Sequence, residues 1–301
     1  MRVEFSSPDK VLWPQSGLTK AHLWTYLERV ADRLLAQVRD RPLTLKRFPD
    51  GLDGEGFFQK NLPGYAPHWL PRYTVWTPSS RRHVAYPLAT SVDDLHWMAN
   101  QATLEYHPWF TRSDRPDRPD LLVFDLDPAA DAGSATRAAW WLKAVLDEAG
   151  LSSLVKTSGK RGLHLYVPVE RRYGFGELRG FGLAVARCCA DRHPDELTVE
   201  MRKADRKGRL LLDWSRNGPA QTLVAAWSPR AHPAATVSTP LEWDEVTEAL
   251  DPTAFTVESV PLRPDPWAHP PSPQRIEKAR SALAEAGFPS QDRNPRARSG
   301  P

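Results

Sequence analysis

The sequence predicts an α+β fold with a central sheet. Two β-rich runs, residues 43–48 and 56–60, lie on either side of the turn formers Pro49, Asp50 and Gly51, which is typical of a β-hairpin. Other stretches repeat apolar residues every three or four positions, which indicates amphipathic helices. A chain that mixes hairpins with crossing helices is typical of the α+β class.

Local periodicity also predicts the elements of the N-terminal half. Thr19 is expected to cap a helix, because a stripe of apolar residues with a 3.6-residue period follows it. That stripe consists of Leu23, Leu27, Val30 and Leu34. The remaining predicted elements are a short strand and turn at 3–14, short strands within 72–88 around a polar tip at 79–82, a helix at 93–99 and a strand at 102–110.

The second half is predicted to alternate helices with strands. One helix starts at Ser134 and another spans 177–192, and strands are expected at 154–156 and 163–169. The first helix should bury Ala138, Trp141, Val145 and Leu146, and the second Leu178, Phe181, Val185 and Cys188. Later elements are paired strands at 199–202 and 209–214 around a turn at 205–208, a proline-rich strap at 259–273, a helix from Ser272 with Pro273 at its first position and Gly287 at its end, and a disordered tail at 289–301.

Composition limits the class of protein. The chain has 301 residues, 41% of them hydrophobic and 26% charged, which is ordinary for a soluble globular protein. It has no apolar run long enough to span a membrane and no apolar N-terminal signal. Its two cysteines, Cys188 and Cys189, are adjacent, so neither a disulfide framework nor a zinc knuckle is expected, and a reducing, cytoplasmic setting is the simplest inference. The net charge of +3 indicates nucleic acid only weakly.

The most informative motif is an apolar strand that ends in two aspartates. Residues 121–124 are all apolar, as in a strand that is buried on both faces. Side chains alternate along a strand, so Asp125 and Asp127 should point to the same side. Two neighbouring carboxylates repel each other, and a divalent cation such as Mg²⁺ or Mn²⁺ would relieve that repulsion. The alternative is a simple turn, since Asp-Pro commonly ends a strand.

A second motif, residues 158–164, combines two glycines with Ser158, Lys160, Arg161 and His164. Glycines allow a tight turn that presents backbone N–H groups, and the polar side chains add further donors. This composition suits a triphosphate, although glycine-rich basic turns are also common without any ligand. A structural role remains the alternative for His164, which shares a strand face with Tyr166.

Asp213 completes the pattern, because it also ends an apolar strand and is followed by Trp214, Ser215, Arg216 and Asn217. Three carboxylates at strand ends, with a cationic turn between them in sequence, predict a two-metal site in outline.

These three motifs, in this order and spacing, resemble those of the archaeo-eukaryotic primase-polymerases, and within that superfamily the polymerase domain of bacterial ligase D. The resemblance extends to residues 43–69 and 226–243, and covers roughly residues 3–270. It implies a primase-polymerase fold, with a central, mostly antiparallel catalytic sheet flanked by helices and a smaller strand-and-helix region at the N-terminus. We expect a catalytic domain at 1–258, a strap with a C-terminal helix at 259–288 packed on it, and the tail beyond.

The resemblance assigns roles to individual residues. It implies that Asp125, Asp127 and Asp213 are catalytic and hold two Mn²⁺ or Mg²⁺ ions. The implied nucleotide-binding residues are Ser158, Lys160, Arg161, His164, Arg230 and His107. In relatives a small residue and a lysine often stand at positions 160 and 161, and arginine is not a simple replacement for lysine in phosphate geometry.

DNA contacts are implied in the N-terminal half. Lys46, Phe48 and Lys60 would lie near the DNA, and Lys10 and Lys20 would grip the 5′-phosphate of a recessed end. Residues 79–91 correspond to a loop that helps to bring two ends together. Phe57 or Phe58 would stack on a base, and because they alternate on a strand, one of the two is expected in the core.

The implied function is templated, two-metal extension of DNA 3′ ends in gaps and overhangs, with rNTPs or dNTPs, during repair of double-strand breaks by non-homologous end joining. Implied partners are DNA ends with a recessed 5′-phosphate, Ku and an ATP-dependent DNA ligase, in a bacterial, nucleoid-associated setting and without a membrane. The chain is expected to be a stand-alone homologue, or else a piece of a longer one. Two alternatives stay open, a primase that starts chains de novo and a non-catalytic module that bridges DNA ends.

Overall fold

The computed structural model describes residues 2–78, 80–128 and 133–291, and these divide into two compact units. The first unit comprises Met1–Asp114, Thr222–Thr239 and Pro252–Asp265, and the second comprises Arg115–Gln221, Pro240–Asp251 and Pro266–Pro301. Both units contain helices and largely antiparallel sheets, so the predicted α+β class is confirmed. The predicted division at residues 258 and 288 stays a prediction.

The first unit begins with a small hairpin and a long helix. Thr19 is the N-cap residue of helix α1 (Lys20–Val38), as predicted. Its backbone N–H donates to His22 Nδ1 at 3.1 Å as part of a capping box. All four residues of the predicted apolar stripe are fully buried. The other elements of this half are β1 (Val11–Trp13), β2 (Leu18–Thr19), β3 (Leu43–Arg47), β4 (Phe57–Gln59), β5 (Arg72–Thr77), β6 (Arg82–Pro87), α2 (Val92–Asn100) and β7 (Thr103–Pro108).

Strands β4, β3 and β7 form an antiparallel sheet in that order, which confirms the predicted hairpin. Its register places Lys46 opposite both Phe58 and Glu105, and Thr44 opposite His107. Because side chains alternate along a strand, Phe58, Lys46, Glu105 and His107 lie on one face. Strands β5 and β6 pair as a separate antiparallel hairpin, and Ser79 of its predicted polar tip lies outside the described residues.

The second unit is built on a six-stranded sheet. Its elements are β8 (Leu121–Leu126), α3 (Ser134–Glu148), β9 (Leu154–Thr157), β10 (Leu163–Pro168), α4 (Phe175–Arg192), β11 (Leu197–Thr198), β12 (Leu210–Asp213), β13 (Pro240–Leu241) and α5 (Glu277–Glu285). The strand order is β11-β12-β8-β10-β9-β13, and only the β11–β12 pair is parallel. Helices α3 and α4 pack on β8, which explains why its residues 122–124 are apolar and fully buried.

Three sequence-based predictions in this unit are wrong in detail. No strand forms at 199–202, whereas β12 lies within the predicted 209–214; the partner of β12 is β11, which precedes the predicted range and pairs in parallel, because the connection contains a 3₁₀ helix, Lys203–Arg206, and is not the predicted tight turn. The last helix starts at Glu277 and not near Pro273, because residues before it run beside β10, where the Gln274 N–H donates to the Pro168 carbonyl at 3.0 Å. Trp141 is only partly buried and stacks on His193, while Leu142 takes the core position.

The predicted disordered tail begins at residue 289, and residues 292–301 lie outside the described residues. No helix among the residues that the structure describes is long and apolar enough to cross a membrane.

Candidate active site

Four ionisable side chains form one row across the six-stranded sheet. The register places Asp213 opposite Asp125, Asp125 opposite His164 and His164 opposite Lys156, on the neighbouring strands β12, β8, β10 and β9. The exposed fractions of these residues are 9% for Asp213, 7% for Asp125, 4% for His164 and 0% for Lys156. Buried charges persist in proteins only when they are paired or bind ions, so this row needs partners.

Contacts within the row supply such partners. Lys156 Nζ lies 2.8 Å from His164 Nδ1, and His164 Nε2 lies 3.3 Å from Asp125 Oδ1. An ammonium group can only donate hydrogen bonds, so we assign Nδ1 of His164 as the acceptor and place a hydrogen on Nε2. The Nε2–H group then points at Asp125. Lys156 therefore orients a histidine that the sequence predicts to bind nucleotide.

The two aspartates of the first motif differ in their electrostatics. Burial raises the pKa of Asp125, but His164, Arg216 and Lys156 together outweigh burial and leave this pKa below its ordinary value. The pKa of Asp127 is raised, first by desolvation and then by the negative charge of Asp125. Asp127 lies just beyond the end of β8 and is exposed. Negative charge is therefore concentrated where these carboxylates meet.

Arg216 supplies positive charge to the same carboxylates. Its Nε atom lies 3.2 Å from Asp213 Oδ2 and 3.6 Å from Asp125 Oδ2. Ser215 donates to the other oxygen of Asp213 through its backbone N–H at 2.9 Å and its hydroxyl at 2.5 Å. In this arrangement no group of three or more His, Cys, Asp or Glu side chains in the described ranges is gathered closely enough to hold a metal ion. Arg216 is the cation that pairs with the carboxylates in this structure.

Asn217 fixes the segment that follows Asp213. Its amide group accepts from the Val123 N–H at 2.8 Å and donates to the Val123 carbonyl at 2.7 Å. It also donates to the Trp214 carbonyl at 2.9 Å. β12 ends at Asp213, and the Asn217 side chain then takes the place of the next strand residue beside β8. This buried side chain ties the third aspartate to the strand that carries the first.

The second motif forms the turn between β9 and β10. Gly159 has a φ of +69°, a conformation that favours glycine, and a Cβ atom at Gly162 would lie 2.5 Å from the Leu126 carbonyl oxygen. The Ser158 hydroxyl accepts from the Lys160 N–H at 3.3 Å and the Gly162 N–H at 3.1 Å. Its own O–H is a donor, and the side chains of Lys160 and Arg161 are exposed at the tip. The turn thus combines a hydroxyl with two cations, beside the acidic strand.

The other two predicted nucleotide-binding residues, His107 and Arg230, lie in the first unit. They share a buried carboxylate, because Glu105 Oε2 lies 2.8 Å from His107 Nε2 and Glu105 Oε1 lies 3.5 Å from Arg230 Nε. Burial raises the pKa of Glu105, but the His107 hydrogen bond and the Arg230 charge outweigh burial and bring that pKa to about 2. Desolvation lowers the pKa of His107 despite this carboxylate.

The low pKa of Glu105 predicts a loss of stability in acid. A folded-state pKa below the ordinary 4.5 contributes stability that is present above about pH 4.5 and is lost as the pH falls towards about 2. That shift corresponds to about 3 kcal/mol, and replacement by Gln should remove this part of the acid dependence. Urea unfolding at a series of pH values would measure it. Glu196→Gln, which breaks an exposed ion pair with Arg137, should keep the wild-type dependence of the unfolding free energy on pH. If the unfolding free energies of Glu105→Gln and wild type fell equally steeply in acid, the prediction would be contradicted.

The aromatic residues predicted to contact DNA are both exposed. Phe57 and Phe58 are 44% and 58% exposed, so the expectation that one of them is a core residue is wrong. They point to opposite faces as predicted, but β4 is a three-residue edge strand with too few neighbours to cover either face. Lys46 Nζ lies 5.4 Å from the Phe58 ring centre, and the Arg47 guanidinium lies 5.3 Å from that of Phe57. Each ring is thus paired with a cation, as in platforms that stack on nucleobases.

The remaining predicted DNA contacts have different environments. Phe48 is buried, with Lys46 Nζ 5.3 Å above its ring, whereas Lys60 is exposed. Lys10 Nζ lies 3.5 Å from Asp50 Oδ1. The Lys20 ammonium is buried and donates to the Ser6 carbonyl at 2.8 Å, and to the backbone and side-chain oxygens of Asn100 at 3.1 and 3.3 Å. The roles of these four residues stay predictions.

Comparison with known proteins places the chain in a family. The model of the family described as "LigD, primase-polymerase domain" matches residues 19–270, which is most of the chain. The chain belongs to the LigD primase-polymerase domain family. The fold predicted from the motifs is thereby confirmed, and the site motifs at 121–128, 158–164 and 209–217 all lie within the matched residues.

Relatives and solved structures agree with this placement. The chain is 34% identical over 263 residues to the bifunctional non-homologous end joining protein LigD of Bacillus subtilis, covering 86% of the chain and 42% of that protein. It is 35% identical over 251 residues to the multifunctional LigD of Mycolicibacterium smegmatis, covering 82% and 33%. The solved polymerase domain of Mycobacterium tuberculosis ligase D, in complex with DNA, matches with a TM-score of 0.81 and 33% identity over 87% of the chain and 93% of that structure. The chain spans between a third and somewhat over two-fifths of the two LigD proteins.

Four residues of the two clusters had no role in the sequence-based prediction. They are Glu105, Lys156, Arg216 and Asn217. A signal existed for Glu105, because it shares a strand face with His107 two residues away. Asn217 stands in the motif after Asp213, but no local signal gave its partner or that of Lys156, because these partners depend on which strands become neighbours.

Proposed function

We propose that this chain is a templated nucleotidyltransferase that extends DNA 3′ ends in gaps and overhangs during double-strand break repair by non-homologous end joining. The observation that carries the proposal is the buried row of Asp213, Asp125 and His164, with Asp127 and the Ser158–Gly162 turn beside it, in a LigD primase-polymerase domain. The LigD relatives named above are non-homologous end joining proteins, and a solved relative is bound to DNA.

Two Mg²⁺ or Mn²⁺ ions are the proposed cofactors, held by Asp125, Asp127 and Asp213. Three carboxylates are a donor set that suits these ions. The raised pKa of Asp127, which desolvation and the charge of Asp125 cause, marks a position where a cation would be stabilising. When bound, the ions supply charge neutralisation for the attacking hydroxyl and the leaving pyrophosphate, so that no dedicated general base is needed.

The chain itself would bind and orient the nucleotide. We propose that the cations of Lys160 and Arg161, the Ser158 hydroxyl and His164 bind the triphosphate of an rNTP or a dNTP. Phosphoryl transfer depends mainly on positioning and charge neutralisation, which this set of donors can provide. His107 and Arg230 are the proposed nucleotide-binding residues of the first unit.

The proposed partners are DNA ends with a recessed 5′-phosphate, together with Ku and an ATP-dependent DNA ligase. Lys10 and Lys20 are proposed to recognise the phosphate. Exposed Phe58, with the Lys46 ammonium beside it, is proposed to stack on a base at the junction between duplex and gap.

Primer extension on a gapped, 5′-phosphorylated duplex tests the function. We expect the 3′ end to be extended by one templated nucleotide at a time, and comparison of Mn²⁺ with Mg²⁺ and of rNTPs with dNTPs would define the preferences. Loss of all extension under every condition would overturn the proposal and favour a non-catalytic end-bridging role. Products made on unprimed single strands would favour the de novo primase.

Arg216 should compete with metal ions for the carboxylates. Replacing this half-exposed arginine by Gln removes a positive charge 3.2 Å from Asp213 and 3.6 Å from Asp125. After solvent screening, an ion pair of a partly exposed arginine is worth on the order of 1 kcal/mol, so we expect Mn²⁺ to bind roughly tenfold more tightly. Titration calorimetry with MnCl₂ would measure the affinity. Arg137→Gln, at a surface ion pair of the same unit, is the control; unchanged or weaker Mn²⁺ binding by Arg216→Gln would contradict the competition.

A further inference from the structure

Glu105 is a buried carboxylate that lies outside the three sequence motifs. It lies in β7, between the neighbouring strand residues Leu104 and Tyr106, and is 1% exposed. An acidic side chain is almost never buried to this extent unless it is paired. Glu105 must therefore have partners that compensate for the loss of hydration.

Two hydrogen bonds and one ion pair converge on its two oxygens. Oε2 lies 2.8 Å from His107 Nε2, while Oε1 accepts from the Ala231 N–H at 2.9 Å and lies 3.5 Å from Arg230 Nε. All these residues belong to the first unit. A carboxylate can accept on both sides, whereas an amide of the same shape must present an NH₂ group to one side. The carboxylate therefore requires His107 to carry its hydrogen on Nε2 while it accepts from residues 230–231, whereas an amide could pair with either tautomer.

The side chains that Glu105 holds extend to the surface. His107 and Arg230 have side chains that are each 12% exposed, against 2% for Glu105 beneath them. The Phe58 ring meets the His107 ring edge-to-face with centres 5.5 Å apart, and Lys46 contributes positive charge to the same face. A histidine, an arginine and a lysine at one surface form an anion-binding combination, and the carboxylate below them sets the directions of two of the three.

We propose that Glu105 is a positioning residue that holds His107 and Arg230 in fixed orientation as one nucleotide-binding pair. This inference rests on the proposed nucleotidyltransferase function. Glu105 accepts from Nε2 of His107, so it fixes both the tautomer and the plane of the ring. By its other oxygen it restrains the backbone at Ala231 and the guanidinium of Arg230. Orientation matters because small displacements of a positioned group weaken its contribution strongly.

The decisive variant is Glu105→Gln, compared with wild type in two measurements. The affinity for ATP with Mg²⁺, measured by titration calorimetry, should weaken about tenfold. The ring ¹⁵N resonances of His107 in nucleotide-free protein, assigned by their loss in His107→Asn, should change from a single Nε2–H tautomer to a mixture. Glu196→Gln is the matched control and should leave both measurements unchanged.

A double-mutant cycle separates positioning from general destabilisation. If Glu105 acts through His107 and Arg230, the loss of ATP affinity in Glu105→Gln/Arg230→Ala should be smaller than the sum of the two single losses, because Arg230→Ala already removes one of the two side chains that Glu105 positions. Additive losses would overturn the proposal. Should Glu105→Gln not fold, Glu105→Asp keeps the charge but withdraws it by one methylene, and should also weaken ATP binding and alter the His107 resonances.

Each outcome has a defined meaning. An unchanged His107 tautomer, or a changed tautomer with wild-type ATP affinity, would overturn the positioning role while leaving primer extension by the wild type intact. If wild-type protein binds ATP but extends no primer, the positioning role stands and the proposed function fails. If wild-type protein binds no ATP, both fail.

Discussion

Replacing Asp125 by Asn should abolish primer extension, with a loss of about a thousandfold or more, because the central carboxylate of the buried row loses its charge. Asn has nearly the same shape as Asp and can still accept from His164 Nε2, 3.3 Å away, so the sheet should keep its packing. The measurement is single-turnover extension of a gapped duplex at saturating nucleotide. DNA binding, measured by fluorescence anisotropy, should be unchanged.

Two variants accompany this experiment. Asp127→Asn should cause a loss of similar size, since both carboxylates are proposed metal ligands. Asp117→Asn removes an exposed carboxylate that pairs with Arg118 at 3.5 Å, and should extend at the wild-type rate. Extension by Asp125→Asn at more than a tenth of the wild-type rate would show that the row is structural and that the chemistry lies elsewhere.

Replacing Asn217 by Ala should lower the free energy of unfolding by about 3 kcal/mol, since it deletes three hydrogen bonds and leaves the N–H and carbonyl of Val123 without this partner. The change should appear in urea unfolding as a lower midpoint with an unchanged slope. Because Asn217 also holds the segment after Asp213, extension should fall in conditions where the variant is still folded.

Asn217→Asp provides the internal comparison. Its carboxylate keeps the acceptor for the Val123 N–H but lacks the NH₂ group that donates to the Val123 and Trp214 carbonyls. Asn217→Asp should therefore be destabilised as well. A loss of less than about 1 kcal/mol in Asn217→Ala would contradict the prediction, because it would mean that water replaces the amide at little cost.

The local sequence pattern was sufficient to predict most individual helices and strands. The capped helix at Thr19, the hairpin around Pro49-Asp50-Gly51 and the buried strand before Asp125 are confirmed, because each depends on periodicity or turn chemistry within a few residues. The errors lie where distant residues compete. Residues 272–276 match a helix start locally, yet the Gln274 N–H donates to the Pro168 carbonyl of β10. In α3, Leu142 is buried in the core and Trp141 is not.

The candidate site divides in the same way. Its residue types, their order and the shared face of Asp125 and Asp127 were readable from the sequence, as was the resemblance to primase-polymerases. The partners of those residues were not. That Glu105 joins His107 to Arg230, and that Arg216 bridges Asp125 and Asp213, depends on segments more than eighty residues apart in the chain.

By itself the sequence determined the α+β class, the family, the three acidic positions and the composition of the turn at 158–164. Tertiary structure alone decided that β8 lies between β12 and β10, and this placement aligns Asp213, Asp125, His164 and Lys156 in one row. The physical reason is that side-chain alternation is a local property of one strand, whereas strand order and register follow from burying the faces of the whole sheet. The acidic pair and His164 could be predicted locally, but Lys156 as the partner of His164 and Arg216 as the partner of the aspartates could not.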